Sequence, residues 1–513
     1  MKKHFLKLLC ILLLLPALMT GCWQAEPEEP DTSDLMTEEE PVQSIQPDII
    51  LPTVFRLPYA PNQTLDPITC PDGMQQAVGA LLYEGLFQLD HQLEPQQLLC
   101  DQYTYDAETL TYVFHIRSGV TFTDGSPLTA QDAAQTLKRA MTSPRYGTRL
   151  AGVTSISAGE GSVTVTLSSP NTAFPALLDV PIVKAGTENQ LVPVGTGPCV
   201  FLAGEDAASL QRNTAWWQGS RLPVDTIGLM AASDRDTMLY QFTSRDVQLI
   251  TTDLTGTAPI SVTGSISFQD ADTTILQYVG FNTTRAPFNS PELRTALSLG
   301  VNRGSVVSAR LSGHGTATQF PVSPVSPLYP QSLEATYSYD AYATAMTQAG
   351  WNDGEARTVT LLVNSENSFK VSAAEHIANS LSAFDLNVEV RALPWEEYTA
   401  ALAAGQFDLY YGEVKLAADW DLSPLLGTGG ALNYGGWSNT QTDLLLSTLA
   451  SSEDRAGSME LLCAHLRQQA PILPICFKST SVLVQSGVVD DLTPTAANPF
   501  YRFSHCTVHL QEN

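Results

Sequence analysis

Short runs of alternating apolar and polar residues are interleaved with stretches of helical spacing along most of this chain. Thr111 to Ile116 (TYVFHI) and Ser162 to Leu167 (SVTVTL) place an apolar side chain at every second position, the period of a half-buried strand. Between them, Thr129 is followed by Ala133, Leu137, Ala140 and Met141 at helical spacing. Asp132, three residues after Thr129, completes a capping-box-like helix start. Further on, 358–363 (TVTLLV) predicts a strand, 371–384 an amphipathic helix and 386–390 a strand. Residues 399–404 then fall in a helix and 407–411 in a strand. Strand–helix–strand order of this kind predicts parallel sheets covered by helices, hence an α/β protein in more than one lobe.

The first fifty residues follow a different pattern. Lys2, Lys3 and Lys7 precede an apolar run from Leu8 to Leu15, and Leu18-Met19-Thr20-Gly21-Cys22 closes the segment. A charged start and a short apolar stretch predict a secretory signal over residues 1–21, too short for a comfortable permanent span. Thr20 and Gly21 before Cys22 resemble the lipobox of bacterial lipoproteins, with Met19 where leucine is usual. That resemblance implies a diacylglycerol on the Cys22 thiol, and hence a membrane tether outside the cytoplasm. Residues 22–50 carry Glu26, Glu28, Glu29, Asp31, Asp34 and Glu38 to Glu40 among several prolines. So much charge with so little apolar surface cannot offset the entropy of ordering, and the stretch reads as a disordered acidic linker.

Composition narrows the function. A chain of 513 residues with 43% hydrophobic content can build two or more cores. Its formal charge of −27 repels phosphate backbones and argues against a nucleic-acid partner. Cys70, Cys100, Cys199, Cys463, Cys476 and Cys506 are scattered without CxxC spacing. They allow up to three bridges in an exported chain, or behave as small buried hydrophobes.

Six segments then fall in register with one family. Residues 77–90 (AVGALLYEGLFQLD), 111–141, 194–201 (VGTGPCVF), 276–307, 470–474 (APILP) and 486–488 (SGV) resemble the family 5 extracellular solute-binding proteins, in that family's order. These are the oligopeptide- and dipeptide-binding components of ABC importers. Cys199 stands where an aromatic is usual.

The resemblance implies a two-lobed periplasmic-binding-protein-like fold of type II, with a hinge of two crossing strands. Lobe one is then expected over 51–275 and 480–513, with 77–190 as an extra subdomain, and lobe two over 276–479. The crossings are expected near Tyr278–Asn282 and Ser481–Val484. Asp124-Gly125 reads as a tight turn, and Gly195-Thr196-Gly197-Pro198 as a close backbone approach near the crossing between lobes. Arg117 and Arg294 are expected to pair with internal carboxylates.

Ligand contacts are also carried over from the resemblance. In peptide-binding members a lobe-two carboxylate caps the ligand's α-ammonium, and Ala418-Asp419-Trp420 matches that position. Asp421, two residues on, is the alternative partner. Trp420 and Asn282 are expected to border the ligand, and Trp395 either lines the pocket or belongs to the lobe-two core. Leu416 stands where the family has an aromatic, and Lys415 reads as an exposed lysine. No GxSxG, HExxH or Walker loop supports an enzyme, and no cofactor is expected. The reading is a monomeric, lipid-anchored protein that hands a peptide-like ligand to ABC permease subunits. A nickel or metal-chelate importer component of the same fold, or a peptide-sensing receptor, are the alternatives. Its histidines, including His505 and His509, do not cluster.

Overall fold

Two strands far longer than the others, Ile266–Phe281 and Ile472–Gln485, run antiparallel and carry the largest sheet of the computed structural model. Residues 50–512 are described, apart from 71, 72, 206, 220, 259 and 261. The expected signal at 1–21, Cys22 and all but the last residue of the linker lie outside the described residues. Ile472–Gln485 is buried at all but one position, so both its faces are covered and no polar alternation marks it.

The pairing of these two strands is irregular between Asp272 and Leu276. On one side of that break Leu249–Thr252 pairs with Ile472–Gln485, and on the other Leu409–Lys415 pairs with Ile266–Phe281. The change of neighbours therefore falls at 272–276, opposite 477–479. This is a few residues before both of the expected crossing positions.

Parallel pairing is confined to one end of this sheet. Arg357–Asn364 pairs in parallel with Leu386–Leu393, and its Leu361–Leu362 stretch with Leu409–Lys415. The helices Ser368–Leu381 and Trp395–Ala403 supply the crossovers that parallel strands require. Asn367 caps the first of them by accepting from the Lys370 N–H, which starts the helix three residues before the spacing suggested.

The second large sheet, Cys100–Asp106, Thr111–Ile116, Ser162–Leu167 and Val153–Ala158, is wholly antiparallel. The parallel expectation fails here. Residues 107–110 and 159–161 are hairpin connections too short for a crossover, and Thr111–Ile116 and Ser162–Leu167 pair antiparallel although a helix lies between them in sequence. Helix Ala130–Met141 covers this sheet with the expected capping box. Thr129 Oγ1 accepts from the Asp132 N–H, and Asp132 Oδ2 accepts from the Thr129 N–H at 2.9 Å. Asp132 Oδ1 also accepts from the Ala185 N–H, tying the helix start to a distant segment.

Several cores result. Val363, Ile377, Leu381 and Leu409 belong to one, Phe114, Leu137 and Val165 to another, and Leu57, Leu210 and Phe503 to a third. A Cβ on Gly195 would lie 2.1 Å from the Leu82 carbonyl oxygen, so this glycine permits the close approach. Its neighbour is the 81–83 segment rather than the crossing strands. Gly125 takes φ +84° in the expected turn. The six described cysteines are buried, and burial pushes the Cys199 and Cys476 thiols up to about 12. Such thiols act as packing groups. Among the described residues no helix is long and apolar enough to cross a membrane.

Candidate functional site

The strand Leu409–Lys415 ends where the central ladder breaks, and the chain leaves the sheet under tight control. The Leu416 N–H donates to the Thr274 carbonyl at 2.9 Å, and Thr274 Oγ1 donates back to the Leu416 carbonyl at 2.6 Å. Leu416 and Trp420 are both buried in one core, the Trp420 ring meeting Phe477 edge-on at 5.8 Å. Between these two anchors the backbone turns. Trp420 takes φ +58°, a left-handed conformation that costs a non-glycine residue roughly 1–2 kcal/mol and marks a specified position.

Asp419 is the residue this turn presents. It is 5% exposed, and its Oδ1 accepts from the Asp421 N–H at 3.1 Å, closing an Asx turn. Its Oδ2 accepts from Asn171 Nδ2 at 2.8 Å, across 248 residues of sequence. Asn171 is held in turn. Its Oδ1 accepts from the Ala173 N–H, and its carbonyl accepts from the Tyr112 hydroxyl at 2.8 Å. Thr172 bonds to the Ala450 and Ser452 carbonyls, so the 171–172 and 450–452 segments meet beside the carboxylate.

No cation lies within ion-pair distance of Asp419 among the described residues. Arg455 donates to its backbone carbonyl, and that guanidinium lowers the carboxyl pKa only from a distance. Burial is the largest influence and raises the pKa above the ordinary value. Two of about four acceptor positions on the carboxylate are used, leaving capacity for further donors.

The chain matches the family described as Bacterial extracellular solute-binding proteins, family 5 Middle, over residues 94–431. It belongs to that family. The glutathione-binding protein GsiB of Escherichia coli O1:K1 / APEC is 26% identical over 445 residues, covering 80% of this chain and 86% of GsiB. A nickel ABC transporter structure from Bacillus halodurans superposes with TM-score 0.73 at 18% identity, covering 87% of this chain and 98% of that one. The oligopeptide-binding protein AppA of Bacillus subtilis, in complex with a nonapeptide, gives TM-score 0.58 at 19% identity over 90% of this chain and 97% of that one. These likenesses establish the two-lobed fold.

As a family 5 solute-binding protein of an ABC importer, the chain binds its solute and performs no chemistry on it. The other expected contacts are distributed unevenly around Asp419. Asp421 is exposed and its Oδ1 accepts from the Ser423 N–H, so it lacks the desolvated setting of Asp419. Trp420 is 1% exposed, yet its indole N–H has no acceptor among the described residues.

Trp395 is 58% exposed at the start of its helix and stacks on Tyr398 at 6.0 Å, which excludes the core alternative. Asn282 is spent internally. Its amide donates to the Gly405 and Phe407 carbonyls, and its Oδ1 accepts from the Thr284 hydroxyl and N–H. That leaves it pinning loops rather than offering groups to a ligand.

Lys415 is exposed but hemmed in. Desolvation is the main reason its ammonium pKa is lowered, and the Arg149 guanidinium adds to it. Neither of the two arginines expected to pair with carboxylates does so among the described residues. Arg294 is buried, donates to the Phe288, Gln469 and Ala470 carbonyls, and lies over the Trp437 ring. Arg117 donates to the Leu98 carbonyl and lies over Trp217.

Sequence reasoning missed Asn171 and Arg455, because nothing local in Ser169-Pro170-Asn171-Thr172 signals more than a turn. It also missed the buried Lys478, which reaches Asp253 at 2.6 Å and Glu413 at 3.6 Å beside the break in the central ladder. Among the described residues no three His, Cys, Asp or Glu side chains converge as a metal site.

Proposed function

We propose that this protein captures peptides and delivers them to the permease of an ABC importer, with Asp419 receiving the ligand's α-ammonium. The observation that carries the reading is a buried carboxylate with acceptor positions to spare and, among the described residues, no cation within ion-pair distance of its oxygens. A buried charge is costly alone, and a ligand ammonium would supply the missing partner. The Trp420 indole N–H, which has no acceptor among the described residues, adds a donor for a ligand carbonyl. Trp395 offers an exposed aromatic surface for a side chain.

GsiB carries glutathione in its name, and AppA was solved with a nonapeptide, so peptide-like ligands are in keeping with both comparisons. Lobe one is assigned to 51–275 and 480–513, with 77–190 as its extra subdomain, and lobe two to 276–479. Residues 1–21 act as signal, Cys22 as lipid site and 22–50 as tether, which puts a monomer on the outer face of the cytoplasmic membrane. Substitution Cys22→Ser then abolishes labelling by radioactive palmitate.

Native mass spectrometry of the purified protein, followed by calorimetry with what it releases, tests the function. A peptide or glutathione-like adduct is expected. A bound metal chelate, or peptides that bind equally well with free and acetylated N-termini, would overturn the reading.

A further inference from the structure

A cavity of about 260 Å³ lies on the 276–479 part of the chain, away from the Asp419 turn. None of Asp419, Asn171, Trp420 or Trp395 lines it. It sits between the end of helix Pro291–Leu299, the start of helix Arg303–Arg310, the 317–321 and 334–338 segments, and the end of helix Arg455–Gln469. Its size is just below the range of drug-sized ligand pockets, so it suits a small molecule.

The wall is mostly apolar, with Leu299, Phe320, Leu466 and Ile472 among its members, but it holds two guanidinium groups. Arg303 Nε donates to the Pro474 carbonyl at 2.7 Å, Nη1 to the Ser298 carbonyl at 3.1 Å, and Nη2 to Ser298 Oγ at 3.0 Å. Arg467 donates to the Leu333 carbonyl at 3.0 Å. Every one of these acceptors is neutral. Among the described residues no carboxylate comes within ion-pair distance of either arginine. This happens in a chain with 53 acidic against 26 basic residues, where acidic partners abound. One carboxylate lines the cavity, Glu334, and it already accepts from the Tyr329 hydroxyl at 2.6 Å.

We infer that this cavity is a second binding site, for a small organic acid bearing one carboxylate and an apolar body. Two guanidiniums against one carboxylate leave a single positive charge to be matched, which selects a monoanion over a phosphate. Arg467, with one bond to the Leu333 carbonyl, has a guanidinium fork to offer a carboxylate. Arg303 adds charge while its Nε, Nη1 and Nη2 are engaged, and the apolar wall takes the rest of the molecule. Pro474 and Ile472 belong to the crossing strand, so an occupant would touch the element on which lobe closure turns.

The test titrates the purified protein with hexanoate and with its neutral isostere hexanamide, read by ligand-observed saturation-transfer NMR. Saturable hexanoate binding is expected, with hexanamide at least tenfold weaker. Arg467 is exposed, so Arg467→Glu can be made without unfolding the protein, and it should weaken hexanoate at least tenfold. Arg303→Gln, which loosens a half-buried anchor, is read only after circular dichroism shows a folded protein. Hexanoate binding should persist unchanged in Asp419→Ala. Absence of saturation, equal binding of the amide, or loss of hexanoate binding in Asp419→Ala would overturn the inference. The result is independent of whether peptides occupy the Asp419 site.

Discussion

Two buried carboxylates, Glu84 and Asp419, are the same kind of group in opposite circumstances. They are 7% and 5% exposed, and neither has a cation in ion-pair range among the described residues. Glu84, in the Tyr83-Glu84-Gly85-Leu86 segment, is saturated. Its Oε1 accepts from the Trp216 indole at 3.1 Å and the Gln218 amide at 3.2 Å. Its Oε2 accepts from the Trp217 indole and the Thr196 hydroxyl, both at 2.8 Å. Four donors from two distant segments fill the carboxylate and leave nothing for a ligand. Asp419 has two donors and open positions. The contrast separates a carboxylate that clamps the fold from one that awaits a partner, and counting donors distinguishes them where burial does not.

The largest effect should follow from removing the open carboxylate. If Asp419 holds a ligand ammonium, Asp419→Ala strands that charge in a desolvated site. The expected loss is on the order of 3–5 kcal/mol, at least a hundredfold in Kd. Calorimetry with free and N-acetylated versions of one peptide reads it. The wild type should discriminate strongly between them and the variant hardly at all. Stability should fall by about 1–3 kcal/mol, since the Asn171 amide and the Asp421 N–H lose their acceptor while the cost of burying the carboxylate is relieved. If Asp421→Ala alone lost binding, the mechanism would move two residues along the chain.

Glu84 should show its character in stability rather than binding. Burial outweighs its four donors and raises its pKa from 4.5 to about 7. Protonation is therefore easier in the folded state than in the unfolded one. Its contribution to stability is fully present below about 4.5 and is lost as pH rises through about 7. The loss across that window should be on the order of 3 kcal/mol. Denaturant titrations at several pH values, compared with the non-titrating Glu84→Gln, check it. A wild-type profile parallel to that of the variant would falsify the assignment.

Much of this scaffold was legible because it is local. The Thr129–Asp132 capping box and the TYVFHI and SVTVTL strands rest on contacts within a few residues or on a simple period. Ile472–Gln485 was visible only as a short motif, because a strand buried on both faces shows no alternation. Asp419 could be singled out through family resemblance, but nothing in the chain revealed that Asn171, 248 residues away, would donate to it. The Glu84 clamp was equally hidden, its indole donors lying 132 and 133 residues off. Arg294 and Arg117 show a different limit. Charge complementarity suggested carboxylates, but the buried Arg294 and the half-buried Arg117 were met by carbonyls and aromatic faces.

A smaller effect should come from Asn171. Its amide is one of the two donors that hold Asp419, and it stabilises the ionised form. Asn171→Ala should raise the Asp419 pKa further and weaken binding of a free-amine peptide by about 1 kcal/mol, roughly fivefold. The weakening should be greater at pH 5 than at pH 8, because a carboxyl closer to titration is more often neutral at the lower pH. Affinity measured at both values reads the difference. An unchanged pH dependence would mean that the Asn171 bond does not tune the carboxylate.

The smallest effect belongs to Trp395, which the comparison places at the opposite extreme from both carboxylates. It is 58% exposed, and its backbone N–H donates to Glu366 Oε1 at 2.9 Å, a bond that Trp395→Ala keeps. Removing the ring loses its stacking on Tyr398 at a largely exposed position, so stability should move by no more than about 0.5 kcal/mol. If the ring covers a ligand side chain, affinity should fall by about 0.5–1.5 kcal/mol for peptides with an aromatic residue and by less for polyalanine. A calorimetric series over such peptides measures the slope. Uniform affinities in wild type and variant would remove Trp395 from the site and leave the Asp419 turn to carry recognition with Trp420 alone.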